Sequence, residues 1–193
     1  MSEHGRHIVW QSLASPGLEH VRLRSEGDQL VAHGRTVRVL GGVLEDLRWR
    51  IECDPAWRTR AVRALIKDRL HPLLCAECDG QGRWNVQAGE VRGRLAGCVD
   101  VDLAVTPFTH TLPIRRLEPW RVGEEVRVRV AVADPLEGAF LPVRQSYTLE
   151  SRRGEVRIFS YRNLDTGYEA ELSVDPSGLV IDYADEFRRA WSG

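Results

Sequence analysis

The stretch LAGCVDVDLAVTPFTHTLPIRRL, from Leu95 to Leu117, carries the most constrained chemistry of the chain and decides how we interpret the rest. Within it, residues 99–103 read VDVDL, so aliphatic side chains alternate with Asp100 and Asp102. This two-residue period is typical of a β-strand with one apolar face and one polar face. The two carboxylates are therefore expected to project from the same face, roughly 6.5–7 Å apart.

A helix signal follows directly. Thr106 is a favourable N-cap residue and Pro107 suits the first helical position, so we predict a short helix over residues 108–112. Pro113 has no amide hydrogen to donate, and we expect it to end or kink that helix.

Much of the remaining chain alternates in the manner of strands. Residues 47–53 read LRWRIEC and residues 125–132 read EVRVRVAV, and such runs are separated by turn signals such as Gly41–Gly42. Many short strands at regular spacing favour an all-β sheet that must curl. Residues 57–67 suit either a helix or a strand, and residues 185–191 are compatible with a C-terminal helical turn.

The opening stretch resembles the signature of a bacterial glycolipid-binding family, formerly a domain of unknown function, whose most recognisable run is GCxDVDLxxTPFTNTLPIRRL. Residues 97–117 match every fixed position of that run but one: His110 stands where the family usually has Asn. The resemblance covers most of the chain. It implies a mainly β fold, a long antiparallel sheet wound as a spiral β-roll around a single helix, with residues 57–67 continuing the sheet. It also implies homodimers.

Composition sets further bounds. The chain has 193 residues, 42% of them hydrophobic and 28% charged, which is ordinary for a globular protein, and we expect one domain over residues 1–193. The net charge of −1 offers no field to attract nucleic acid. The N-terminal MSEHGRHIVW lacks the apolar core of a signal peptide, and no run approaches the roughly 20 apolar residues of a membrane span. We therefore expect a cytoplasmic protein.

Three roles are open for Asp100 and Asp102. They could contact a ligand or act as an acid–base pair, or they could pair with nearby arginines and fix the strand against the helix. Arg115 and Arg116 are interpreted as lying on a strand, where adjacent side chains point to opposite faces. One guanidinium could then pair with the aspartates while the other faces a cavity and binds a phosphate, sulfate or carboxylate. The alternative, for at least one of the two, is a solvated surface arginine.

The cysteines and His110 suggest no catalytic centre. Cys75 and Cys78 form a CxxC motif with His71 upstream, but neither a second ligand pair for zinc nor a βαβ context for redox chemistry is present. Cys53 and Cys98 are expected to pack as small apolar residues. Because the family usually has Asn at position 110, His110 is interpreted as a polar cavity-lining group rather than an essential base.

Together with the glycolipid-binding function that the resemblance implies, these observations predict a protein that holds an amphiphile, most simply a glycolipid. Its polar head would lie at the aspartates and one arginine, and its tail along inward-facing apolar side chains. Two alternatives stay open: a hydrolase or isomerase of a lipid or sugar conjugate, and a structural or oligomerising protein without a ligand. We predict no catalytic residue, metal or cofactor. The expected ligand-binding residues are Trp57, Arg60, Trp84, Asp100, Asp102, Thr109, His110, Arg115, Arg116, Gln145 and Tyr147.

Overall fold

Fifteen strands form one sheet in the computed structural model, which describes residues 5–67 and 73–193. In chain order the strands are β1 (Arg6–Ser12), β2 (Gly17–Glu26), β3 (Gln29–Leu40), β4 (Val43–Cys53), β5 (Thr59–Ile66), β6 (Leu74–Cys78), β7 (Trp84–Ala88), β8 (Glu90–Val91), β9 (Asp100–Leu103), β10 (Glu125–Asp134), β11 (Ala139–Arg153), β12 (Val156–Asn163), β13 (Glu169–Val174), β14 (Val180–Tyr183) and β15 (Phe187–Ser192). The predicted mainly β fold is confirmed.

The sheet consists of two meanders that meet at a seam. Strands β1 to β7 are sequential antiparallel neighbours, as are β10 to β15, and β1 pairs with β15 so that Ile8 lies opposite Ser192. Two pairings are parallel, β9 with β10 and β8 with β11, which makes the sheet mixed. The outermost strands of the path, β7 and β9, do not pair with each other within the described residues, so the sheet is an open ribbon wound on itself.

Alternation in the sequence translates into alternation of burial. Every second residue of β4 from Leu47 to Cys53 is buried, as the LRWRIEC pattern predicts. The ambiguous region after Trp57 is a strand over Thr59–Ile66, in agreement with the resemblance. The expected C-terminal helical turn is wrong: Phe187–Ser192 is a strand, because β1 and β14 supply hydrogen-bonding partners on either side of it.

A helical segment lies inside the wound sheet, as a 3-10 helix at Pro107–His110 followed by α1 at Thr111–Arg116. The Thr106 hydroxyl caps it by accepting a hydrogen bond from the Phe108 amide at 3.1 Å, as predicted. The segment continues past Pro113, contrary to expectation. Because α1 begins at Thr111, Pro113 occupies its first turn, where no intrahelical donor is needed.

The sheet packs on both sides of this helix. Phe108 and Leu112 belong to a core cluster formed mainly with β1 to β6, whereas Ile114 belongs to a second cluster with residues such as Trp120 and Phe159. All side chains from position 107 to 114 are buried. The sheet therefore buries both faces of the helix, as a roll wound around it does.

A buried carboxylate joins the sheet to the start of the helix. Glu19 on β2 is only 1% exposed; its Oε1 accepts hydrogen bonds from Thr36 (2.9 Å) and the Trp49 indole (3.0 Å), and its Oε2 accepts one from Thr106 (2.7 Å). The Trp49 ring reaches this position across Gly34, where an added Cβ would lie 2.0 Å from the indole. Burial raises the pKa of Glu19 to about 7, against the lowering effect of these three hydrogen bonds.

One hairpin extends an aliphatic surface beyond its neighbours. Val39, Leu40, Val43 and Leu44, at the β3–β4 turn, are 36% to 68% exposed, and we call them the aliphatic tip. The Val39 amide donates to the Pro16 carbonyl in the turn between β1 and β2, so the tip adjoins that turn. No helix among the described residues is long and apolar enough to cross a bilayer.

Candidate functional site

Asp102 is the centre of a polar cluster beside the helix. On the short strand β9, Val101 and Leu103 point into the core cluster that contains Phe108 and Leu112, so Asp102 points to the opposite face. Its Oδ1 accepts a hydrogen bond from the Thr109 hydroxyl at 3.1 Å, and its Oδ2 accepts one from the Gln145 amide at 2.6 Å. Both of these donors are neutral.

The cluster continues from Gln145 to the helix through a chain of hydrogen bonds whose donors and acceptors can be assigned. Because the amide nitrogen of Gln145 donates to Asp102, its Oε1 must accept, and it does so from the Tyr147 hydroxyl at 3.3 Å. The Tyr147 oxygen lies 2.9 Å from His110 Nδ1. Since the tyrosine proton is used toward Gln145, the network assigns the donating hydrogen to His110 Nδ1 and leaves Nε2 as an acceptor.

All four tyrosines of the chain gather around His110. The His110 ring meets Tyr161 and Tyr183 edge-on, with ring centroids 4.7 Å and 4.9 Å away, and Tyr147 at 6.0 Å. Tyr168 packs edge-on against Tyr161 at 6.3 Å. These rings come from β11, β12, β14 and the turn before β13, so the second meander builds an aromatic enclosure around one helical side chain.

A cavity of about 380 Å³ opens beside this enclosure, and we call it the tyrosine pocket. Asp102, His110, Tyr161, Tyr168 and Tyr183 line it. Asn163, Thr166, Glu186 and Phe187 are among the remaining lining residues. None of the described residues that line it is a lysine or an arginine. Its polar groups are thus carboxylates, an imidazole, hydroxyls and an amide.

The pocket opens at the same end of the sheet as the aliphatic tip. Phe187 pairs with Ser12, at the start of the turn between β1 and β2, and that turn adjoins the tip through Pro16. The loops after β12 and β14 contribute to the lining of the pocket, and both are on this end of the antiparallel ladder. Polar pocket and apolar surface therefore share one end of the roll.

Burial sets the protonation of the aromatic enclosure. Desolvation lowers the pKa of His110 below its usual value, against the raising effect of the Asp102 charge, so the imidazole is neutral at physiological pH. Desolvation likewise raises the pKa of Tyr147, Tyr161 and Tyr183 well above the ordinary phenol value. The phenols remain protonated and act as hydrogen-bond donors and acceptors.

Asp100 has a different environment from Asp102. Its fully buried carboxylate accepts hydrogen bonds from two nitrogens of the Arg116 guanidinium: Nη2 donates to Oδ2 at 2.6 Å, and Nε donates to Oδ1 at 2.9 Å and to Oδ2 at 3.2 Å. Burial raises the pKa of Asp100, against the lowering effect of Arg116. This pair fixes β9 to the end of the helix and does not line the tyrosine pocket. Asp100 therefore has the arginine-paired, structural arrangement that was one of the roles considered for the two aspartates.

The two arginines lie on α1, so their assignment to a strand is wrong. The sequence after Pro113 continues the helix because that proline is in its first turn. Arg115 still diverges from Arg116: its guanidinium lies 5.4 Å from the centre of the Trp57 ring and lines a separate cavity at the other end of the helix. The expected single cleft that joins the aspartates, an arginine and Trp57 is therefore not formed.

The remaining predicted ligand-binding residues are held by other contacts. Arg60 donates to the Asp79 carbonyl, and the Trp84 indole donates to the Cys98 carbonyl at 2.7 Å while packing against Phe140. Neither residue lines the tyrosine pocket. Cys53 and Cys98 are in the apolar core, as predicted.

Five of the eleven predicted ligand-binding residues belong to one hydrogen-bonded cluster, namely Asp102, Thr109, His110, Gln145 and Tyr147. Of the eleven, only Asp102 and His110 line the tyrosine pocket. The sequence analysis did not include Tyr161, Tyr168 and Tyr183 in the site. The only indication in the sequence is that every tyrosine of the chain falls between residues 147 and 183. The described part of the chain contains no group of three or more potential metal ligands, and His71, upstream of the CxxC motif, falls outside the described residues.

Comparison with known proteins gives two matches of use. The model of a family described as "Putative glycolipid-binding" matches residues 7–189. The crystal structure of a DUF1089 family protein from Pseudomonas aeruginosa is similar to this chain, with a TM-score of 0.70 and 29% identity over 89% of this chain and 91% of that one. No curated protein matches the chain.

Proposed function

The chain belongs to the family described as "Putative glycolipid-binding", and we propose that it binds an amphiphile whose uncharged sugar head occupies the tyrosine pocket. The volume of about 380 Å³ lies within the roughly 300–1,000 Å³ typical of small-molecule sites. Such sites combine apolar or aromatic walls with a few polar groups that fix orientation, which is the composition of this pocket.

The observation that carries the proposal is the environment of Asp102. Its two neutral hydrogen-bonding partners, Thr109 and Gln145, leave the side chain partly exposed to the pocket, and no arginine among residues 5–67 and 73–193 engages it. A carboxyl group is rich in acceptor sites and suits the hydroxyl donors of a sugar. Tyr161, Tyr168 and Tyr183 add aromatic surface with hydroxyl groups. An anionic head would find no lysine or arginine among the described lining residues, so the pocket favours a neutral one over an anionic one.

The aliphatic tip supports an amphiphile rather than a free sugar. It provides exposed apolar surface at the end of the roll where the pocket opens, so a tail leaving the pocket would have a partner there. Each buried methylene contributes about 0.8 kcal/mol, so a tail of several methylenes would add appreciably to the affinity of the head alone.

Isothermal titration calorimetry with octyl glucoside, kept below its critical micelle concentration, tests the proposal. We expect octyl glucoside to bind more tightly than glucose. The Asp102→Asn variant replaces one of the two acceptor oxygens by a donor, and we expect it to weaken binding by about tenfold or more. Asp28→Asn, at an exposed turn between β2 and β3, is the matched control and should leave the affinity unchanged.

Two results would contradict the proposal. One is the absence of binding by octyl glucoside or by galactosyl and mannosyl analogues at concentrations up to about 1 mM, the limit of weak specific binding. The other is an equal loss of affinity in Asp102→Asn and Asp28→Asn, which would mean that the pocket is not where the ligand binds.

A further inference from the structure

Two adjoining cavities lie at the end of the helix opposite the tyrosine pocket. Their volumes are about 530 Å³ and about 430 Å³, and Arg115 and Pro176 line both. The larger cavity has an apolar wall that includes Leu23, Trp57 and Leu179. The turns that close them, after β4, β11 and β13, all lie at the end of the sheet away from the aliphatic tip. We call the pair of cavities the arginine groove.

Arginines dominate the charge of this groove. Among the described residues, five guanidinium side chains line or border it and three carboxylate side chains accompany them, an excess of two positive side-chain charges. The arginines are Arg6, Arg115, Arg152, Arg157 and Arg189, and the acidic residues are Glu118, Glu155 and Asp175. The whole chain has a net charge of −1, so this excess is local.

The carboxylates are shared rather than matched one to one. Glu118 accepts from Arg115 Nη1 at 3.0 Å through one oxygen and from Arg157 Nη1 at 2.8 Å through the other. Asp175 Oδ2 is likewise shared, by Arg6 at 2.9 Å and Arg189 at 2.8 Å. Each of these carboxylates therefore neutralises two guanidiniums only in part.

The two central guanidiniums are also short of acceptors. Arg157 is 7% exposed in its side chain and makes two hydrogen bonds, to Glu118 and to the Asp175 carbonyl, while Arg115 makes one. The Nε atoms of both are buried without a hydrogen-bond partner within the described residues. Since a guanidinium offers five N–H donors, most of the donors of these two side chains have no acceptor among the described protein atoms.

We propose that the arginine groove binds a phosphoryl group, either as free phosphate or as the head of an amphiphile. Guanidinium forks match the oxygens of a phosphate, and their strength as donors is greatest in a partly desolvated site. Arg115, stacked on Trp57 and 30% exposed, is the residue placed to make the first contact, and the apolar wall beside it has room for a hydrocarbon. This site does not depend on the tyrosine pocket, which disfavours anions.

Calorimetric titration with inorganic phosphate and with octyl phosphate tests the site. Arg115→Gln keeps an unbranched polar side chain but is shorter and uncharged, and we expect it to weaken phosphate or octyl phosphate binding by about tenfold to a hundredfold. Arg92→Gln, an exposed arginine paired with Glu137 near the opposite end, is the matched control and should have no effect. Asp102→Asn should also leave this binding intact, which separates the two sites.

A second variant keeps the test decisive if Arg115→Gln does not fold. Glu118→Gln removes the carboxylate that competes for Arg115 and Arg157, so we expect phosphate to bind several-fold more tightly, whereas a purely structural arginine cluster would gain nothing. Equal affinity for inorganic and octyl phosphate would identify free phosphate as the ligand class, and a preference for octyl phosphate would identify a lipid head. The proposal would be overturned if neither compound binds at about 10 mM, or if Glu118→Gln does not bind phosphate more tightly than the wild type.

Discussion

Replacing Glu19 by glutamine should remove the part of the pH dependence of folding stability that arises from this buried carboxyl group. The side chain is buried among Thr36, Trp49 and Thr106, none of them charged, and its pKa is raised from 4.5 to about 7. In the folded protein the proton is therefore retained to higher pH than in the unfolded chain. Stability contributed in this way is present below pH 4.5, falls as the pH rises toward 7, and is flat above that value.

The size of the effect follows from the shift. One pKa unit corresponds to about 1.4 kcal/mol, so the full change in the free energy of unfolding is about 3 kcal/mol, of which about 2–3 kcal/mol falls between about pH 5 and pH 9. Glutamine has nearly the same shape and does not titrate. The difference in unfolding free energy, variant minus wild type, should therefore rise by about 2–3 kcal/mol in favour of the variant over that interval.

Urea denaturation followed by tryptophan emission measures this difference, because Trp49 contacts Glu19 directly and reports the transition. Comparing the two proteins at each pH cancels the titration of all other groups. Glu150→Gln, at an exposed position of β11, makes the same chemical change outside the core and is the control. A Glu19→Gln difference that stays constant to within about 0.5 kcal/mol between the two pH values would refute the argument.

Three further predictions concern the fold and its assembly. Asp100→Ala should destabilise by about 3–5 kcal/mol in urea melts because it leaves Arg116 without its buried partner, whereas Asp102→Ala, which breaks only neutral contacts, should cost clearly less; equal losses would count against the buried pair. Gly34→Ala should lower the unfolding free energy by about 1–3 kcal/mol or more through a clash with Trp49, and an unchanged melting temperature would show that the ring moves freely. Light scattering should give about twice the 21.9 kDa chain mass, since an open sheet has edges to cover, and a monomer at micromolar concentration would contradict the expected homodimer.

Strands that have one buried face could be predicted from the sequence. In β4 the alternation from Leu47 to Cys53 is strict, and burial follows it. β15 was missed because FRRAWS shows no such pattern; its conformation is set by pairing with β1, a partner distant in sequence. Gly34 lies within a continuous β3 and provides space for the indole of Trp49, a long-range contact that no local pattern indicates.

Only part of the site could be predicted from the sequence, and the reason is geometric. Asp102 and Thr109 are neighbours because the helix runs back along β9, which a strand followed by a capped helix allows one to anticipate. Arg115, however, is six residues beyond Thr109 on a helical segment that rises about 1.5–2 Å per residue, so it emerges at the other end of the roll. Nearness in sequence therefore did not imply one cavity, and the tyrosines of three later elements completed the pocket instead.

The seam between β1 and β15 has a consequence for how the chain reaches this structure. Each meander is built from hairpins between sequential strands, whose contacts are local and quick to form, but the seam places Ile8 opposite Ser192. Its closure requires almost the whole described chain to be available and carries a large loss of chain entropy. We therefore expect the seam to form late, leaving an intermediate in which β1 and β15 are unpaired edges. Such edges are prone to intermolecular pairing, so folding yield should fall with protein concentration even though the finished fold has sealed both strands.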